Sequence, residues 1–107
     1  MPPTMAPRLG RLVVFHLPEG SPRAAHRHFA RRVVGEVTSS WGGKYRYRRK
    51  GLLEEVPHVP LHTGVVLLLP EHAVGLSRRI REEGGVVEVR TVELTRSDER
   101  TLNRRHR

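Results

Sequence analysis

Ten consecutive residues, Trp41-Gly-Gly-Lys-Tyr-Arg-Tyr-Arg-Arg-Lys50, set five cations among three aromatic rings. Lys44, Arg46, Arg48, Arg49 and Lys50 have the chemistry to neutralise phosphates. Trp41, Tyr45 and Tyr47 offer flat faces on which unpaired bases stack. Gly42 and Gly43 let a hairpin tip approach a backbone closely. The segment reads as a basic–aromatic ribbon for RNA or single-stranded DNA. The competing expectation is that Tyr45 and Tyr47 face a core while the cations face solvent. The run lacks the aromatic–glycine spacing of the RNA recognition motif.

A second cationic series is Arg23, Arg27 and Arg31, spaced four apart, with His28 and Arg32 beside it. On a helix these three share one face, and with no acid between them they repel one another. That pattern fits contacts to phosphates better than it fits a free helix. Arg78, Arg79 and Arg81 differ, because Glu71, Glu82 and Glu83 lie close in sequence and can pair with them.

The seven histidines supply little for a metal. His58 and His62 are four apart, but Pro60 between them forbids the helix that would aim both at one ion. With no cysteine and Asp98 as the one aspartate, no metal site and no cofactor is expected. Thiolate zinc, iron–sulfur clusters, disulfides and cysteine nucleophiles are excluded outright. Neither Gly42-Gly43 nor Gly84-Gly85 fits a phosphate-binding loop or a dinucleotide fingerprint. A metal-independent ribonuclease stays open as an alternative. It needs a base, an acid and a cation, which His16, His58 or His62 with Tyr45 or Lys44 could supply.

Twenty Lys+Arg against eleven Asp+Glu gives the chain of 107 residues a net charge of +9. All of that excess lies in residues 1–53; residues 54–107 carry nine charges of each sign. A concentrated excess points to a polyanionic partner, as a footprint should. Eighteen of the twenty cations are Arg, whose planar fork grips phosphates bidentately and stacks on bases. Gln is absent and Asn103 is the one Asn, which fits a heat-adapted organism and equally a GC-rich genome.

These residues must be held by a small framework. The length suits one domain, and no apolar run approaches a membrane span. A soluble, cytoplasmic protein with no membrane partner is expected. Residues 1–9, with three prolines, read as a flexible tail. The run Leu12-Val-Val-Phe-His-Leu17 predicts a strand near 11–17. Ser21-Pro22 predicts a helix start, with Ser21 as cap. Ala25, Phe29, Val33 and Val37 extend that helix to 38.

The alternation from Lys44 to Lys50 predicts a second strand, and 54–63 an irregular edge broken by Pro57 and Pro60. Gly64-Val-Val-Leu-Leu-Leu69 predicts a buried central strand. A second helix follows over 71–83, with Ala73, Leu76 and Ile80 inward and Gly84-Gly85 as its stop. The last strand spans 86–94. A change of apolar parity between Val89 and Val92 predicts a bulge near Arg90-Thr91 or a strand that changes partners. Residues 95–107, with five Arg, read as a helical turn and a basic C-terminal tail, which leaves 10–94 as the domain.

The resulting order, β-α-β-β-α-β, predicts an α+β, ferredoxin-like fold: a four-stranded antiparallel sheet with two helices on one face. Phe15, Phe29, Val33, Leu67 and Ile80 are expected to be buried together. The function expected is a small nucleic-acid-binding protein, RNA or single strands ahead of duplex DNA. It would use the Arg/Lys–Tyr ribbon and the Arg23, Arg27, Arg31 stripe. Beside the ribonuclease, a further alternative is a subunit of a larger ribonucleoprotein or a protein-interaction module. The open edges of such a sheet also allow a homodimer.

Overall fold

The computed structural model describes residues 8–40 and 45–104, with side chains described for 8–35 and 50–104. Most of the expected N-terminal tail, together with Trp41 and Lys44, lies outside the described residues.

The architecture is α+β, with a four-stranded antiparallel sheet. Its strands are β1 (Leu9–His16), β4 (Val59–His62), β5 (Val65–Leu68) and β6 (Val86–Glu93), in the order β4-β5-β1-β6. Strands β2 (Gly35–Ser40) and β3 (Tyr45–Lys50) form a separate two-stranded ribbon. The helices are α1 (Arg23–Val33), α2 (Pro70–Glu82) and α3 (Arg96–Leu102), and a short 3₁₀ turn covers Leu52–Glu55.

The α+β class stands, but the order is not the expected ferredoxin-like β-α-β-β-α-β. The strand anticipated at 44–50 is present, but it pairs with β2 and not with the main sheet. The edge position is taken by β4, from the segment read as irregular. Pro60 is tolerated there because an edge strand leaves one side of its ladder unpaired. Its register against β5 shifts between Pro60 and His62.

The first helix is shorter than expected. It ends at Val33, with Val34 as its C-cap, and Gly35 follows at φ +102°. That left-handed conformation suits glycine and turns the chain directly into β2. Val37, which continued the four-residue spacing, is a strand residue. Ser21 does not cap the helix either: its hydroxyl donates to the Pro18 carbonyl at 2.7 Å, and Pro22 holds the N-cap position. The second helix starts at Pro70 and stops at the glycine pair, where the Gly85 N–H bonds the Ile80 carbonyl at 3.0 Å.

Strand alternation sends β1 and β5 side chains to opposite faces, and both faces are buried. Val13, Phe15, Val66 and Leu68 pack with Phe29 and Val33 of α1 and with Ala73, Leu76 and Ile80 of α2. Leu67 and Leu69 turn the other way and meet Leu94 and Leu102. Leu67 is thus buried, but not with the four residues expected to surround it. The helix α3 closes this second face. It is started by a capping box in which Thr95 Oγ1 accepts from the Asp98 N–H and Asp98 Oδ2 accepts from the Thr95 N–H, both at 3.0 Å. Residues 96–102, read as a helical turn before a basic tail, form a helix docked through Leu102, which is only 2% exposed.

The two-faced core also explains the parity change in β6. Pairing with β1 is unbroken from Val86 to Glu93, so the expected bulge is absent. Val87 and Val89 pack toward α1 and α2, while Val92 packs toward α3.

Candidate nucleic-acid interface

Helix α1 buries Phe29 and Val33 and leaves Arg23, Arg27 and Arg31 exposed. The helix holds no acidic residue. Eight residues separate Arg23 from Arg31, so the stripe runs about 12 Å along the surface. Arg32, one position further, is committed elsewhere. Its guanidinium donates to both Glu83 carboxylate oxygens, through Nε at 3.3 and 3.1 Å. This hydrogen-bonded pair holds the Glu83 carboxyl below its ordinary pKa, against the opposing effect of partial burial. It raises the Arg32 pKa in turn. The pair fastens the end of α1 to the end of α2.

The ribbon leaves α1 immediately, because β2 begins two residues after the last helical residue. Its register places Ser40 opposite Tyr45, Thr38 opposite Tyr47, Val37 opposite Arg48 and Gly35 opposite Lys50. The pairing runs without a shift from Gly35 and Lys50 to Ser40 and Tyr45. Arg46 and Lys50 are about 13 Å apart along the strand.

The ribbon base is clamped by glycine. A Cβ on Gly51 would come within 2.3–2.4 Å of the backbone of Val33, Val34 and Gly35. Only a residue without a side chain lets β3 leave the ribbon so close to the helix end. The next residues, Leu52 and Leu53, are buried in the main core and fix the position of that base.

The two basic series meet at this base. A recess of about 350 Å³ is lined by His28, Arg31, Arg32, Lys50, Glu55 and Arg79, among others. Within it Arg32 pairs with Glu83, and Arg79 with Glu55. Arg31 of the α1 series and Lys50 at the end of β3 therefore line one recess.

A second groove, of about 550 Å³, lies on the other side of Lys50. His58 and His62 both line it, with Lys50 and Glu54. The histidine spacing that failed as a metal motif thus converges on one surface through the irregular edge strand. The His58 ring nitrogen Nδ1 lies 3.0 Å from the Val56 carbonyl. A carbonyl only accepts, so Nδ1 carries the hydrogen and Nε2 is the nitrogen left to exchange a proton. His16 does not join them; its Nδ1 lies 2.7 Å from the Leu17 carbonyl, and the residue is exposed. Sequence spacing did not foretell this groove, since the Pro60/His62 register shift sets which edge residues turn toward it.

Among the described residues, no group of three or more His, Asp or Glu side chains is close enough to hold a metal ion. Among the described residues, no helix is long and apolar enough to cross a membrane. No protein-family model, curated protein or solved structure matches the chain.

Proposed function

We propose that this protein binds single-stranded nucleic acid, RNA ahead of DNA, along one track. The track runs over Arg23, Arg27 and Arg31 of α1 and continues over Lys50, Arg48 and Arg46 of the ribbon. The observation that carries this reading is the junction at Lys50, where two cationic series separated in sequence become continuous. Successive cations rise about 6 Å along the helix and about 6.7 Å along the strand. That interval resembles the step between phosphates of an extended strand. Tyr45 and Tyr47, which alternate with these cations in the sequence, supply stacking surfaces for splayed bases.

Fluorescence anisotropy with a labelled oligouridylate tests the track. Replacing Arg23 and Arg27 by Ala, or Arg46 and Arg48 by Ala, lowers affinity about tenfold or more. Replacing Arg78 and Arg81 on α2 leaves it unchanged. Equal losses from all three pairs would reduce the track to bulk charge.

A second reading is favoured by the shared groove of His58, His62 and Lys50. RNA crossing the junction at Lys50 would pass beside this groove. One histidine would take the proton from a 2′-hydroxyl as its oxygen attacks the adjacent phosphorus. The other would protonate the departing 5′-oxygen, while Lys50 offsets charge on the phosphorane. The products are a 2′,3′-cyclic phosphate and a free 5′-hydroxyl. Cleavage that disappears in both His58→Ala and His62→Ala, with binding retained, supports this reading. Intact RNA after prolonged incubation with the purified protein removes it.

A further inference from the structure

The two edges of the main sheet are built differently. The β4 edge is four residues long, carries Pro60 and shifts register. These are the usual means by which an edge is made unfit for pairing. The β6 edge has none of them. It runs eight residues in unbroken register with β1, is rich in valine, and has no strand on its outer side among the described residues.

We infer that the β6 edge pairs antiparallel with the β6 edge of a second copy of this chain, about a two-fold axis through Val89. The sequence of β6 is self-complementary in that register. Glu88 of each copy falls opposite Arg90 of the other, Val86 opposite Val92, and Val87 opposite Thr91. Both charged residues are well exposed in the single chain, at 65% and 68% of their side-chain surface, and lie on one face 3.7 Å apart. The neighbouring registers are penalised. A slip that centres on Glu88 sets two carboxylates face to face, and a slip that centres on Arg90 does the same with two guanidinium groups. The isologous contact required of a two-fold dimer is thereby specified by charge.

Helix α2 supports the same axis. It lies over β1 and β6. With strands about 4.8 Å apart, two such sheets joined at β6 bring the two α2 axes to about 10 Å, the ordinary distance for packed helices. The α2 residue beside the axis is Val74. It is 70% exposed and shares a groove of about 310 Å³ with Val89 and Ala73. At Gly75 next to it, a Cβ would meet nothing within 4 Å. The dimer covers Val74 and joins the two sheets into one of eight strands.

Sedimentation velocity on the full chain, freed of nucleic acid by nuclease and high salt, reads the outcome. The wild type sediments as a dimer at micromolar concentration. Arg90→Glu opposes like charges at both pairs and raises the dimer Kd about 10- to 100-fold, with its circular dichroism unchanged. Adding Glu88→Arg to that variant restores complementarity and the dimer. The chain has no cysteine, so Val89→Cys forms one disulfide across the axis on mild oxidation. A monomer at all concentrations overturns the inference. So does a dimer insensitive to both charge variants, or one that Val89→Cys does not cross-link.

Discussion

Helices α1 and α2 lie on the same face of the sheet and both carry several arginines, yet only α2 has acids among them. On α2, acidic residues accompany the arginines within the helix, and Arg79 reaches Glu55 of the 3₁₀ turn. On α1 there is no acid, and Arg23 and Arg27 stand on an open surface. The same contrast separates the ribbon from the main sheet. The sheet strands β1 and β5 send apolar side chains to both faces, and each face carries a core cluster. The ribbon strand β3 alternates cation and tyrosine and pairs with β2 alone. The two helices differ less in their number of arginines than in the acids placed among them.

The largest expected effects separate the framework from the surface. Leu68 is fully buried at the centre of the core. Leu68→Ala should cost about 2–5 kcal/mol of stability in urea unfolding. The Arg46→Ala, Arg48→Ala pair should leave the unfolding midpoint in place. A comparable loss from the arginine pair would make the ribbon part of the framework.

Next in size are the ring substitutions. Tyr45→Leu and Tyr47→Leu should each weaken oligouridylate binding by about 1–3 kcal/mol. Thermal unfolding should be unaffected, because β3 lies outside the four-stranded sheet. A fall in melting temperature with unchanged affinity would assign the rings to packing.

Gly51→Ala sits between the two regions. The added methyl meets backbone and not a flexible side chain, so the ribbon base must shift. A stability loss of about 1–3 kcal/mol is expected, together with weaker binding, since the two halves of the track no longer adjoin. Loss of stability with full affinity would show that the junction is not needed.

The smallest effect concerns Glu83. Its folded-state pKa is depressed, chiefly by the hydrogen bond from Arg32. The pair therefore contributes stability above the ordinary carboxylate pKa and loses it as pH falls through the depressed value. Glu83→Gln should remove that acid-side slope from the melting temperature while leaving binding near neutral pH intact.

Several of these features were legible in the residues themselves. The unbroken apolar run 65–68 could only be a doubly buried strand, and Pro70 with Gly84-Gly85 bounded α2. The cationic segments were visible as charge. Their junction was not, because it depends on Gly35 and Gly51, two glycines whose roles come from backbone conformation and close approach. Val37 continued a helical spacing by coincidence, and a left-handed glycine overrode it. Leu67 was assigned to the wrong cluster because an all-apolar strand gives no parity by which to choose a face. The docking of α3 hung on Leu102 alone among arginines, a signal too sparse for periodicity.

The salt dependence of binding tests the proposed phosphate track most directly. About five cations of the track releasing counterions from a single strand give a slope of log K against log salt near −3.5. Arg46→Ala with Arg48→Ala should reduce its magnitude by about 1.4, two contacts' worth. The Arg78→Ala, Arg81→Ala pair on α2 should leave it as it is. A wild-type slope near zero, or an equal reduction from the α2 pair, would contradict the claim that α1 and the ribbon form one phosphate-binding track.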